Sequence, residues 1–589
     1  MSDIKKLWSY LSRRRQKQFG LVLILMILSS FAEILSIGAV LPFLAMLTAP
    51  DQFFYHPIMQ QLLQILLPIF GMSIVVEPDQ ILLPLTILFV ILAIISGIIR
   101  LMLLYAMTRL SFSTGADLSI NIYQRTLHQE YSVHVMRNSS EVINSIIVKT
   151  SSVISGVIIP VLTIISATIL TVGVIGTLLV IDTTIALSAL IGFGVLYLLV
   201  SYYTSSQLKK NSKVIAENST QMIKSLQEGL GGIRDVLIDQ SQQFYCKLYR
   251  DADLPLRIAS GNNKFITMSP KNAIEALGMS FIAIFAYLMS QQPSQITVIP
   301  ILGALALGAQ RLLPAMQQIY GSFSIIKGSQ SSFQDMLELL DQEMPDYVDS
   351  PASEQMKFNH EIEINKLSFS YSEESSRVIR DVSLTIPKGS CVGFIGETGS
   401  GKSTLIDIIM GLLSPSSGII KIDGTKLTKK NAREWQSNIA HVSQSIFLSD
   451  CSIKENIAFG IPLNKIDQSK IESSVNKVKL KRLVEGLKDS YDTYIGENGV
   501  RLSGGQRQRV GIARALYKDA NVLVFDEATS ALDTETELEV MRSIENLDQN
   551  LTIIIIAHRL STLKDCDKIF KLENGLISNV GNYQELLNK

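Results

Sequence analysis

Neither sign of charge prevails in this chain. Its 53 Lys plus Arg balance 53 Asp plus Glu over 589 residues, so composition gives no sign of a nucleic-acid partner. Cysteine is scarce as well. Cys246, Cys391, Cys451 and Cys566 all fall in stretches expected to face the cytosol, and none has metal-ligand spacing. We therefore expect reduced thiols, no disulfide and no zinc. Basic residues are missing from two stretches, 48–80 and Gln291–Ile296. That local absence becomes informative beside what the rest of the first half contains.

Mean hydropathy is positive (+0.28), and the apolar residues are concentrated in runs. Runs near 19–47, 81–108, 153–181, 183–203, 268–290 and 296–322 are each long enough to cross a bilayer. Six crossings put both termini on one side. The N-terminus carries Lys5, Lys6, Arg13, Arg14, Arg15 and Lys17, and 205–265 carries Lys and Arg from Lys209 to Lys264. Basic residues stay on the cytoplasmic side. Both termini and the two long loops, 109–152 and 204–267, are thus expected in the cytoplasm of a chain set in the cytoplasmic (inner) membrane. The first apolar run is too long for the core of a cleavable signal.

Five ionisable residues interrupt the runs: Glu33, Arg100, Lys271, Glu275 and Arg311. A charge at such depth costs about 2.5–3.5 kcal/mol, so it faces a cavity or a partner. Arg311 lies roughly 22 Å into its run at 1.5 Å per residue. Three bases against two acids suit an anionic head group, with Glu33, Arg100, Lys271 and Arg311 as substrate candidates. The alternative is that Lys271 and Glu275, four apart on one helix face, neutralise each other while Arg100 snorkels inward. The outer stretch His56–Gly71 reads as an amphipathic helix, lying in the membrane interface or packed on the spans.

The second half carries chemistry of another kind. Gly396-Glu397-Thr398-Gly399-Ser400-Gly401-Lys402-Ser403-Thr404 is a phosphate cradle. Its glycines let backbone N–H groups turn onto phosphate oxygens, Lys402 supplies positive charge, and Ser403 can ligate Mg²⁺. An apolar strand, Cys391–Ile395, precedes the loop, and a helix beginning at Lys402 follows it. Downstream stand Leu502-Ser503-Gly504-Gly505-Gln506, then Asn521–Glu527, an apolar strand ending in Asp526 and Glu527.

Taken together, residues 358–589 resemble the ATP-binding cassette of the ABC family, with every motif present in order. The resemblance implies that Tyr371 stacks on adenine and that Ser403, Gln444 and Asp526 hold Mg²⁺. It implies that Glu527 polarises the attacking water and His558 contacts the γ-phosphate. Ser530-Ala531-Leu532-Asp533 matches the D-loop. The signature, Ser503 to Gln506, would meet the nucleotide of a second subunit, so a homodimer is needed to complete both sites.

The expected fold is multi-domain. An all-α six-helix transmembrane domain of the type I exporter (type IV) kind spans 1–330, a linker 331–357, and an α/β P-loop ABC nucleotide-binding domain 358–589. Short contact helices are expected within Ser132–Val142 and Gly232–Tyr245. Within the family, the outer helix and the basic layer resemble flippases for polyprenyl-diphosphate-linked oligosaccharides, although Lys271 stands where an arginine is often found. The implied activity is ATP-driven export or flipping of a lipid-linked anionic amphiphile. A peptide or multidrug exporter is the alternative, and an ATP-regulated channel or sensor a third reading disfavoured by an intact Glu527.

Overall fold

The computed structural model describes residues 2–48, 54–55, 60, 78–181, 183–290, 298–349, 354–372, 376–527 and 550–587. It resolves into two compact units, Met1–Gln129 with Arg137–Met344, and Glu130–Met136 with Pro345–Lys589. The expected outer helix His56–Gly71 and Ser530–Asp533 lie outside the described residues.

The described part of each apolar run of the first unit is helical, mainly in Arg13–Thr48, Pro78–Leu127, Ile159–Ile181, Thr183–Gly231, Gln242–Ser290 and Val298–Gly328, with the run at 153–181 beginning in the short segments Thr150–Val153 and Ile154–Ile158. Pro78–Leu127, Thr183–Gly231 and Gln242–Ser290 are far longer than their apolar runs, because polar helix continues past the apolar stretch. Among the described residues, three helical stretches are long and apolar enough to cross a membrane: Arg13–Ser36, Ile81–Leu127 and Ser139–Thr177. The helices pack in pairs: Arg13–Thr48 on Pro78–Leu127, Thr183–Gly231 on Gln242–Ser290, and Ile159–Ile181 on Val298–Gly328.

Two departures from expectation concern the connecting segments. The expected linker 331–357 begins inside a helix, Gln330–Leu340, which buries Phe333, Met336, Leu337, Leu339 and Leu340 in the first unit. Apolar residues at helical spacing fold this stretch onto the helices before the acidic part begins. Over the two spans expected to hold short contact helices, the helices are also shorter: Tyr131–Met136 and Ile233–Ile238, the first belonging to the second unit, where Glu130 pairs with Lys429.

The second unit holds two sheets. The smaller contains β1 (Glu361–Phe369), β2 (Ile379–Pro387), β4 (Ser417–Ile422) and β5 (Thr425–Lys426) in the antiparallel order β2-β1-β4-β5. The larger is built from β3 (Cys391–Ile395), β6 (Ile439–Val442), β7 (Val522–Asp526), β8 (Thr552–Ala557), β9 (Lys568–Glu573) and β10 (Leu576–Gly581). Its order is β10-β9-β3-β8-β7-β6. All but β10 run parallel. β8 is buried at every position, as a central parallel strand covered on both faces must be.

Candidate functional site

Strand register assembles the site. β8 lies between β3 and β7, with Ile395 level with Ala557 and Asp526 level with Ile556. The carboxyl ends of four neighbouring strands therefore open side by side. β3 leads into the Gly396–Thr404 loop, β8 into His558, β7 into Glu527, and β6 towards Gln444. Ligands of open parallel sheets bind outside these strand ends.

The loop is shaped to wrap something small. Gly401, at φ 100°, caps the helix Lys402–Ile409, a backbone state that disfavours any side chain. A Cβ on Gly396 would stand 2.3 Å from the carbonyl oxygen of Leu572. Lys402 Nζ donates to the carbonyls of Gly396 and Glu397 at 2.8 and 2.9 Å, curling over its own loop. Ser400 Oγ is buried without a hydrogen-bond partner. Ser403, by contrast, is exposed at the first turn of the helix. Burial holds the Lys402 ammonium below its ordinary pKa. These features fit a phosphate chain, which supplies acceptors for the donors gathered here.

Glu527 is the centre of the arrangement. Its Oε2 accepts from Gln444 Nε2 at 2.6 Å, and its Oε1 pairs with His558 Nε2. Its φ is 51°, an unfavourable state for a residue with a side chain, while its N–H donates to the Ile556 carbonyl at 3.1 Å. Burial and then the neighbouring Glu527 push the Asp526 carboxyl above its usual pKa. One helix turn beyond Ser403, burial and then Asp526 raise Asp407 to about 6. The oxygen donors Ser403, Gln444 and Asp526 are of the kind Mg²⁺ takes when it keeps several waters and phosphate oxygens.

Tyr371 reaches the same loop, its hydroxyl 3.1 Å from Thr404 Oγ1. Its ring stands edge-on to Phe369 and is exposed, as a surface for a flat base requires. The signature opens the helix Gly504–Tyr517. Ser503 Oγ accepts from the Gln506 N–H at 3.2 Å, and Gln506 Oε1 accepts from the Ser503 N–H at 2.8 Å. This reciprocal cap spends the Gln506 side chain on holding Ser503, Gly504 and Gly505 at the helix N-terminus. The Gln506 side chain thus shapes the signature.

In the first unit, Glu33 is buried and pairs with Arg100 at 3.2 Å, while half of the Arg100 side chain stays exposed. The pair lines a cavity of about 570 Å³. Ser29, Ser30, Thr163, Ser166, Gln310 and Gln318 add polar groups to walls otherwise made of Leu, Met, Ala and Pro. Arg100 thus has an ion-pair partner on another helix. Lys271 and Glu275 are exposed on Gln242–Ser290, and neither is among the described lining residues. The Arg311 side chain lies outside the described residues.

Comparison with known proteins agrees with this geometry. Residues 379–530 match the ABC transporter family and 20–307 match the ABC transporter transmembrane region. An ATP-dependent lipid A-core flippase of Alkalilimnicola ehrlichii is 30% identical over 399 residues, 67% of each chain.

The chain belongs to the ABC transporter family.

Other similarities are consistent with it. A lipid A-core flippase of Burkholderia pseudomallei is 42% identical over 228 residues, a match that spans only 38% of either chain. An uncharacterised ABC transporter ATP-binding protein of Bacillus subtilis, YwjA, is 30% identical over 424 residues, 70% of this chain and 72% of that one. In fold, this ABC transporter is similar to a bacterial Atm1-family ABC exporter solved with ATP bound, with a TM-score of 0.77 at 21% identity. That likeness covers 98% of this chain and 96% of the other. The exporter architecture of six long helices followed by an α/β nucleotide-binding unit is therefore established, and the transporter is a membrane protein.

Sequence reasoning missed the small hydroxyl and amide groups of the cavity. Ser, Thr and Gln within apolar helices carry no charge, so nothing in the pattern marked them. Alternation of small polar residues with apolar ones on facing helices was the only available signal.

Proposed function

We propose that this ABC transporter hydrolyses ATP to flip or export an amphiphilic lipid with an anionic head group across the cytoplasmic membrane. It works as a homodimer with both termini in the cytoplasm. The observation that carries the reading is Glu527 held between Gln444 and His558 at the strand ends beside the phosphate loop.

Each residue has a task in that reading. The loop Gly396–Thr404 holds the phosphates, with Gly399 and Gly401 supplying the backbone turns. Lys402 leaves its carbonyl partners for the terminal phosphates. Tyr371 offers its ring to the base. Glu527 orients and polarises the attacking water, and His558 holds the γ-phosphate from the opposite side. Ser403, Gln444 and Asp526 would hold Mg²⁺, whose charge offsets that of the phosphates. Two carboxylates, Asp526 and Glu527, against one Lys402 leave room for a cation. Ser503 and Gly505 complete the site of the second subunit, which makes one chain half an enzyme.

An anionic lipid is favoured by three things. Relatives named lipid A-core flippases supply a lipid as precedent. The Glu33–Arg100 cavity presents a half-exposed guanidinium among hydroxyl and apolar walls, so it can take a charged head group and its chain together. In sequence, Arg311 adds a further base at comparable depth within its apolar run. A guanidinium grips phosphate bidentately, so diphosphate-linked or phosphorylated lipids fit the same chemistry. ATP turnover is tested with Glu527→Gln in the purified chain. Loss of hydrolysis with retained ATP binding supports the assignment, and near-normal turnover refutes it.

A further inference from the structure

One pair of residues in the second unit has no part in the chemistry above. Cys391 Sγ and Cys566 Sγ stand 2.9 Å apart, although 175 residues separate them in sequence. The backbone fixes the approach. Cys391 N–H donates to Asp567 Oδ2 at 2.8 Å, and the Asp567 N–H donates back to the Cys391 carbonyl at 2.9 Å. The next residues pair in the sheet, Val392 with Lys568, so β3 and the entry to β9 cannot slide apart without breaking the ladder. The sulfurs need to close by only about 0.9 Å to reach a disulfide length of about 2.05 Å.

The two thiols differ in access. Cys391 is half-buried, whereas Cys566 is buried against the core that includes Leu563 and Ile569. An oxidant therefore reaches Cys391 first, and Cys566 is placed to resolve it. The other cysteines are differently situated. Cys246 is exposed in the first unit, and Cys451 accepts from Asn456 Nδ2 at 3.1 Å. The parallel pairing of β3 with β9 is what brings Cys391 and Cys566 together.

We propose that Cys391 and Cys566 form a reversible oxidation site, converted by a peroxide-class oxidant into a disulfide that staples β3 to the turn before β9. The chemistry balances in two steps. The Cys391 thiol takes one oxygen from the peroxide, giving a sulfenic acid and one water. The Cys566 sulfur then attacks that sulfur, forming the S–S bond and releasing the second water. In a reducing cytosol the pair rests as dithiol, and thiol reductants return it to that state. The site depends on the second unit's fold and not on which molecule is transported.

The test uses the purified full chain treated with hydrogen peroxide, blocked with N-ethylmaleimide, digested and analysed by mass spectrometry. Alkylatable thiols should fall from four to two, with a cross-linked peptide joining Cys391 to Cys566, and dithiothreitol should restore four. Cys391→Ser should lose the cross-link while still folding, as judged by ATP binding. Unfolding the chain in urea before oxidation should erase the preference for this pair. Four thiols still alkylatable after peroxide, Cys391 oxidised to sulfinic acid without pairing, or equal pairing with Cys246 or Cys451 would each overturn the proposal.

Discussion

Gln444 Nε2 donates to Glu527 Oε2 across 2.6 Å, joining the segment after β6 to the end of β7. His558, at the end of β8, takes the other carboxylate oxygen. Three strand ends are thus tied through one side chain. Any group that draws Glu527 towards a water or a phosphate must loosen one of these ties, which links occupancy of the site to the position of the Gln444 segment.

Removing either tie should therefore impair turnover without abolishing nucleotide binding. Gln444→Ala and His558→Ala are each expected to lower the steady-state hydrolysis rate, with ATP affinity changed less than threefold. General-base catalysis contributes about 10²–10⁴-fold, so Glu527→Gln should lower the rate more than either. Rates from purified protein, with affinities from a fluorescent ATP analogue, check the ranking. A Glu527→Gln rate above that of Gln444→Ala contradicts it.

Asp407 gives a pH signature. Burial, and then Asp526, raise its pKa to about 6 from 3.8. The folded state therefore keeps a proton that the unfolded chain has lost between roughly these values, so this group's contribution to stability falls as pH rises through that window. Above pH 6 the cost is fully present. Asp407→Asn removes it, so thermal unfolding without nucleotide should show a larger gain in Tm at pH 7.5 than at pH 5. An equal difference at both values means Asp407 is not held protonated by its surroundings.

Subunit pairing is separable from chemistry. In a mixed dimer, Ser503→Ala on one subunit and Lys402→Ala on the other damage the same shared site and leave the second intact. If sites are shared, this dimer should outperform either homodimer, in which both sites are damaged. Mixed-dimer activity equal to the mean of the two homodimers contradicts sharing.

In the membrane unit, Arg100→Ala deprives buried Glu33 of its guanidinium. The single variant should lose thermal stability and at least tenfold in transport. Adding Glu33→Gln removes the buried charge and should recover stability. If Arg100 meets the substrate, transport stays low in the double variant. Recovery of both quantities together makes the pair purely structural.

How much of this was legible in the sequence depends on distance along the chain. The phosphate loop, the Asp526–Glu527 pair and the capped signature are local strings, and local backbone rules fix their shapes. Positions from Gly396 to Thr404 needed only their neighbours to be read. The Glu33–Arg100 and Cys391–Cys566 contacts join residues 67 and 175 apart, and no local pattern encodes such a meeting. The helix Gln330–Leu340 has a local signal. Phe333, Met336, Leu337 and Leu340 recur at helical spacing just ahead of the acidic Asp341–Ser353 segment, whose linker-like composition masked them. Gln506 shows the reverse case: a motif residue whose side chain serves the helix cap.

The central claim, that ATP hydrolysis at Glu527 drives movement of an anionic lipid, is met most directly by reconstitution. The purified chain is placed in proteoliposomes carrying a fluorescent lipid with a diphosphate-linked or phosphorylated head group, and leaflet exposure is followed with a membrane-impermeant quencher. The account predicts ATP-dependent translocation by the wild type, none with Glu527→Gln, and little for a matched lipid with a neutral head group. Translocation that is equal with and without ATP, or equal for the Glu527→Gln protein, would contradict it.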